Sequence, residues 1–496
     1  MKLIKRMRRG MRRLRQKREW AAAKSSILNS GWATWSRLPR IDIRFGLKTL
    51  IARSRTEAQN NDHAKHFLRL VKNNVMGKDG VRFQARVKNR RGEPDDAVNT
   101  AIEESWRDWG KPGICEVSGQ LSWRDYQRSA IETVARDGAS LTRVFRAWPD
   151  NRWKFALQHI DVTLLDVDHN EVLGDDREII MGIEVNKFHR PVAYHLLEDP
   201  RGPGELGIRT KSRVRIPAEE IIHIHLPEWV DQGRGVPWMS TALQRAHMLS
   251  GYEDAEVVAA RAASAKMGFY ERSVDAADEF VGDGQDGEGN PIQEFEPGVN
   301  EVLPQGWSYN LSNPTHPTTQ YGDFVKSMLR GIASGLGVNY NTLANDLEGV
   351  NFTSLRQGAL TDRDLWMMLQ DWIVEVFHER VYREWLTSSL FAGAIVRPDN
   401  SPLSATRAQE FQRVVWQPRR WQWVDPLKEV NAQKEAHNLR VRSLSSFIRE
   451  GGDDPDEVWA EMAAERAKLE ALGIPLPEAA GATMIMEVPE DQANAG

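Results

Sequence analysis

Four groupings in this sequence have side chains of the right type for catalysis or metal binding, and each falls short of a complete set. His378-Glu379 begins like the helical pair of a zinc protease, but Tyr382 stands where the second histidine ligand belongs. His223 and His225 fall on one face of a strand by two-residue alternation and can chelate a metal; they also read simply as polar-face residues beside Ile222, Ile224 and Leu226. Asp283, Asp286 and Glu288 imitate a calcium loop, yet Gln285 and Gly287 occupy ligand positions, so a solvated acidic surface is the plainer reading. Cys115 is the single cysteine: it excludes an intramolecular disulfide, suits a reducing compartment and reads as a buried structural thiol. The chain contains neither a Gly-x-x-x-x-Gly-Lys-Ser/Thr phosphate loop nor a Gly-x-Ser-x-Gly elbow. The expectation is a protein without enzymatic activity, cofactor or bound metal.

Charge is more informative than catalysis. The net charge of -4 conceals two opposed blocks. Met1 to Glu19 holds ten Lys or Arg residues, among them Arg8, Arg9, Arg12, Arg13 and Arg15, against one acid. This arm reads as a solvated segment, a transit-like leader, or an arm that binds phosphates or a partner. Glu271 to Glu301 holds ten acids, including Asp275, Asp278, Glu279, Asp283 and Glu294, against the single base Arg272. The stretch from Asp453 onward is again acidic. No apolar run of membrane-spanning length occurs, so no membrane partner is expected.

At 496 residues, with 41% hydrophobic and 27% charged positions, the chain implies two to four folded domains or sub-domains. The stretch 318–391 organises them. Tyr321, Phe324, Val325, Met328, Leu329, Ile332 and Leu336 recur at three- and four-residue steps, which predicts a helix ending at Gly337. An Asn-rich loop follows, with Asn339, Asn341, Asn345 and Asn351 offering short polar side chains and tolerance of left-handed backbone. Ser354 and Gln357 form a capping-box pattern before a long helix rich in Trp, Met and Ile.

Upstream, helices are predicted over 62–75, 98–109 and 122–136. The runs LTRVFRAW, ALQHIDV, IIMGIEV, PVAYHLL and EEIIHIHL predict mostly antiparallel strands over 141–226. A helix over 238–270, crowded with alanines in its second half, suits close helix packing or simply reflects helix propensity. Between it and the helix 318–336 lies an acidic excursion with short strands, including WSYNL. Two amphipathic helices are predicted over 425–450 and 455–472, and a disordered end from 475.

Several segments, taken in order and at their spacing, are specific. They are VKNNVMGKDG (71–80), CEVSG (115–119), RPVAYHL (190–196), QGRGVPWM (232–239), YEDAEVVAARAASA (252–265), GIASGLGVNYNTLANDLEGVNFTSLRQG (331–358) and WVDPLKE (423–429). Through them the chain resembles the lambda-like family of tailed-bacteriophage portal proteins over roughly residues 62–472. The resemblance implies an α+β, predominantly helical portal fold. Its parts would be a basic, partly disordered arm (1–60), a wing (61–237), a stem helix (238–270), a clip (271–316), a second stem helix (317–336), a tunnel loop (337–352), a long wing or channel helix (353–397), a helical crown (398–475) and an acidic tail (476–496).

The same resemblance implies a ring of twelve copies at one capsid vertex through which double-stranded DNA is packaged and ejected. The implied partners are the terminase large subunit, head-tail connector proteins, and the major capsid and scaffold proteins. The implied location is the virion, and the host cytoplasm during assembly. A net charge near -9 on the clip suits protein docking and repels DNA. Lys326 and Arg330, four residues apart, are either channel cations or partners of acids on neighbouring copies, with Asn339, Asn341, Asn345 and Asn351 as weak, sequence-blind contacts. The rival functions are a nuclease-like packaging subunit, for which no carboxylate cluster is found, and a non-ring adaptor that binds DNA through its arm.

Overall fold

In the computed structural model of the chain, residues 36–198, 212–264, 268–272, 284–285, 291–292, 307–311, 321–348, 351–421, 426–451 and 454–473 are described. The chain divides into two compact units: Met1–Leu70 with Ser129–Phe145 and Leu157–Gly349, and Val71–Arg128 with Arg146–Ala156 and Val350–Gly496. The expected single wing over 61–237 is therefore split, because residues 71–128 fold with the C-terminal third.

Among the described residues the first unit begins with the helix Pro39–Asn60, where a basic arm was expected as far as residue 60. Pro39 presets the first helical φ, and Ile43, Leu47 and Ile51 recur at four-residue steps and are buried. They join one core with Leu141, Ile160, Met181, Ile183, Tyr194, Leu196 and Ile216. Except for Met181, in a hairpin turn, these partners come from two antiparallel sheets. One is a five-stranded meander of Glu171–Gly174, Arg177–Ile180, Ile183–Val185, Pro191–Leu197 and Arg213–Pro217. The other places Ala139–Arg146 between Phe155–Ile160 and Ile221–His225. On the meander the buried carboxylate of Glu184 accepts from Arg215 (2.7 Å) and Arg177 (3.2 Å). The Arg215 hydrogen bond outweighs burial and holds Glu184 down at about 2.

The second glycine of QGRGVP has a steric reason. A Cβ at Gly235 would stand 1.9 Å from the carbonyl oxygen of Gly138, so only glycine permits this backbone crossing. Arg234 between the glycines is buried and donates through Nη1 to the carbonyls of Leu165 (3.1 Å) and Met181 (2.9 Å).

The helix expected over 238–270 runs from Leu243 to Ser264, and Tyr270 lies instead in the strand Gly268–Arg272. That strand pairs antiparallel with Trp307–Leu311, the WSYNL segment. Gly284–Gln285 pairs with Pro291–Ile292 within the acidic excursion. Helices Leu243–Ser264 and Tyr321–Leu336 pack side by side. Tyr252 stacks on Tyr321 (6.0 Å between ring centroids) and meets Phe324 edge-on (4.9 Å), while Thr241 bonds the Gly335 carbonyl (2.8 Å). This pairing of early with late residues makes the two helices antiparallel.

The second unit is built on aromatic packing. Trp106, Trp109, Trp123, Tyr126, Phe377, Tyr382 and Trp385 are all buried and in ring contact. The strand Arg82–Ala85 pairs with Val414–Gln417, a strand inside the region expected as the helical crown (398–475). The long helix begins at Phe352, capped by Asn351 rather than by Ser354. It continues through a π-turn, Val374–His378, to Phe391. Its segments of 22, 5 and 13 residues make a rod of about 60 Å at about 1.5 Å per residue.

The residues that imitate a zinc-protease motif begin at the end of this π-turn. His378 is fully buried, with Nδ1 3.1 Å from the Ile373 carbonyl and Nε2 3.0 Å from Gln127 Oε1, and burial pushes its pKa down to about 4. The helix expected over 425–450 breaks into Pro426–Asn438 and Leu444–Gly451, with Arg440 at φ 56 between them; Pro455–Ala471 follows.

Candidate nucleic-acid interface

The helix Tyr321–Leu336 buries Leu329, Ile332, Ala333 and Leu336. It stops at Gly337, whose φ of 71 ends the helical hydrogen-bond ladder. Residues 337–352 were expected to be loop, but Tyr340–Ala344 forms a short helix. Asn339 is its N-cap, its side chain accepting from the backbone of Asn341 at 3.1 Å, and Asn345 closes it in left-handed conformation, φ 52. Asn351 caps the following helix by accepting from Thr353 (3.2 Å). The asparagines thus have a structural task that composition alone did not distinguish from a contact role: Asn339 and Asn351 use their carbonyl oxygens as caps. Asn341 is half-buried and Asn345 is exposed.

The loop is fastened to the helix that precedes it. Lys326 lies 3.8 Å from Asp346 and 3.9 Å from Glu348. Tyr340 donates its hydroxyl to Asp346 (2.7 Å), and Arg330 sits over the Tyr340 ring, 5.4 Å from its centroid. The Tyr340 hydrogen bond, helped by the Glu348 N–H and the two cations, holds the Asp346 carboxyl below its ordinary range. Burial and the bond to Asp346 raise the Tyr340 hydroxyl. From the other side His66 Nε2 lies 3.1 Å from the Thr342 carbonyl, and Leu343 is buried. Lys326 and Arg330 therefore engage their own chain. Ion pairs this long and exposed are individually weak, but Asp346 and Glu348 place two negative charges beside Lys326.

Sequence reasoning missed Tyr340, Asp346 and Glu348 as the partners, since the pairing spans twenty residues across a turn that no helical or strand period links. The arm residues Arg8, Arg9, Arg12, Arg13 and Arg15 and the acidic residues Asp275, Asp278, Glu279, Asp283 and Glu294 lie outside the described residues.

The rings of His223 and His225 lie with centroids 4.5 Å apart and planes tilted by 35°; burial lowers both pKa values, and no group of three or more ligating side chains exists among the described residues. Cys115 is buried, its thiol pushed up to about 12 by desolvation. Among the described residues no helix is long and apolar enough to cross a membrane.

With this geometry in place, comparison with known proteins is decisive at the family level. Residues 26–370 match the family described as phage portal protein, lambda family. The chain is similar to the "Probable portal protein" of Halomonas phage phiHAP-1, with 33% identity over 93% of this chain and 88% of that protein. It is also similar to "Portal protein B" of Escherichia phage lambda, with 23% identity over 87% of this chain and 86% of that one. A chain from the neck of an empty gene transfer agent particle aligns over 83% of this chain and 95% of that chain, at 12% identity and a TM-score of 0.44. The chain belongs to the lambda family of phage portal proteins. It is a structural portal protein.

Proposed function

We propose that twelve copies of this chain close into a ring at one capsid vertex and conduct double-stranded DNA inward during packaging and outward during ejection. In this reading the antiparallel helices Leu243–Ser264 and Tyr321–Leu336 are the stem. The ribbon and acidic excursion between them are the clip, which docks the terminase large subunit and later the head-tail connectors. The loop 337–348 meets the passing duplex, and major capsid and scaffold proteins contact the ring during its assembly in the host cytoplasm.

The observation that carries the reading is the fastened loop. A conduit must let phosphates slide, and phosphate contacts add steeply in affinity. Here Lys326 and Arg330 are engaged by Asp346, Glu348 and Tyr340, which leaves neutral side chains such as Asn341 and Asn345 as sequence-blind contacts. The stem also exposes apolar side chains, Met248, Val257, Val258 and Phe324, as a surface that packs against further copies would.

Negative-stain imaging and mass photometry of the purified full-length protein test the ring: closed rings are expected, and a stable monomer under every assembly condition contradicts it. Shortening the Thr342–Gly349 loop is expected to leave rings intact and impair packaging or DNA retention. Normal filling and retention by such particles contradicts the loop's role.

A further inference from the structure

The second unit contains a cleft of about 660 Å³ with a strongly one-sided charge. Its walls carry Lys78, Arg82, Arg128, Arg419 and Arg420 against a single carboxylate, Asp79. The site is built from within. Gln370, fully buried, donates to the carbonyls of Asn74 (2.8 Å) and Arg419 (3.0 Å) and accepts from Arg420 (3.2 Å). Arg419 donates to Asn74 Oδ1 (3.0 Å), and Arg128, which also lies 3.5 Å from Asp125, donates to the Gly77 carbonyl (2.9 Å). Gly77, at φ 69, is the one residue type that fits: a Cβ there would stand 2.8 Å from the Cβ of Arg419. The motif VKNNVMGKDG thus folds into one wall of this cleft.

Neutral carbonyls, not acids, orient the two central guanidinium groups. Lys78, Arg419 and Arg420 have no carboxylate partner among the described residues. Burial, and then the charge of Arg363, lower the Arg419 pKa, the signature of a guanidinium lacking a counter-charge. Two sources of negative charge fit such a cleft, an acidic protein segment and a nucleic-acid backbone. Protein-docking surfaces centre on apolar side chains, whereas protein-DNA interfaces are more polar and much more positive. Among the described residues, Met76 and Pro418 are the only apolar side chains that line this cleft.

We propose that the cleft is a phosphate-backbone site for double-stranded DNA, gripped by Lys78, Arg419 and Arg420 with Arg82 and Arg128 beside them. It rests on the conduit reading and adds a place in the chain where DNA is held. The test uses assembled full-length protein with Asp79→Cys carrying a benzophenone. Cys115 is buried and poorly ionised, so the label goes to position 79. Irradiation with a duplex is expected to give a protein-DNA adduct that falls at least fivefold when Lys78→Gln and Arg420→Gln are added. Lys78 is exposed, so the Lys78→Gln variant alone keeps the test valid if the double variant folds poorly. Adducts only to another copy of the chain overturn the proposal by naming a protein occupant. Rings that still fill with DNA yet give no DNA adduct overturn the site while leaving the conduit reading intact; failure to form rings at all is the separate failure of that reading.

Discussion

The loop 337–348 and the cleft around Arg419 carry basic side chains in opposite ways. At the loop, Lys326 faces Asp346 and Glu348, and Arg330 lies on Tyr340. In the cleft, Arg419 and Arg420 are steered by amide oxygens that fix their direction without cancelling their charge. Counting basic residues cannot separate these regions; what separates Lys326 from Arg419 and Arg420 is whether the group it faces is charged, while Arg330 on Tyr340 and Arg419 over Trp421 have aromatic contacts alike. A cation on a carboxylate is held and quenched, while a cation on a carbonyl is held and available. A protein that must pass DNA without adhering to it, and yet grip it somewhere, needs both arrangements.

Acid should have the largest effect, and on both units. His378, in the second unit, is buried with a folded pKa of about 4, depressed from 6.5. Protonation therefore favours unfolding, and its stabilising contribution, complete above pH 6.5, is lost as pH falls toward 4. Glu184, in the first unit, has a folded pKa of about 2, depressed from 4.5 by the Arg215 hydrogen bond first. Its contribution is present above pH 4.5 and is lost only as pH falls toward 2. The buried His223 and His225 of the first unit titrate in the same sense, so calorimetry from pH 7 to 4 should show both units weakening, and His378→Gln should lessen that loss in the second unit alone; an unchanged pH dependence in the variant would contradict the role of His378.

The next largest effect is on DNA affinity. Reversing two cleft charges, Lys78→Glu with Arg420→Glu, should weaken duplex binding roughly ten- to hundredfold at low salt. Releasing the loop cations by Asp346→Asn with Glu348→Gln should act in the other direction, tightening binding roughly three- to tenfold and slowing packaging. Fluorescence anisotropy reads both, and equal shifts of one sign would erase the contrast. Tyr340→Phe should have the smallest effect, removing one hydrogen bond to Asp346 and speeding amide exchange over residues 340–346 by roughly two- to fivefold.

Local periodicity made a good part of this legible. The helix Tyr321–Leu336 and the strands of the meander follow from their apolar spacing, and WSYNL is a strand as expected. The helix Pro39–Asn60 was overlooked because its basic residues resemble the arm before it, although Ile43, Leu47 and Ile51 keep a helical step. Other features have no local signature. Arg82–Ala85 pairs with a strand more than three hundred residues away, and Gln370 braces Asn74 and Arg419 from a third segment. The asparagines of the loop were recognised as turn formers, but which of them spend an oxygen on a cap depends on where each short helix begins.

The salt dependence of duplex binding by the full-length protein tests the central contrast most directly. Removing a cation that neutralises one phosphate lowers the log-log slope by about 0.9. Lys78→Gln with Arg420→Gln is therefore predicted to reduce the slope by about 1.8, and Lys326→Gln with Arg330→Gln to leave it unchanged. A slope that falls with the loop pair and stays constant with the cleft pair would contradict the division of labour between loop and cleft.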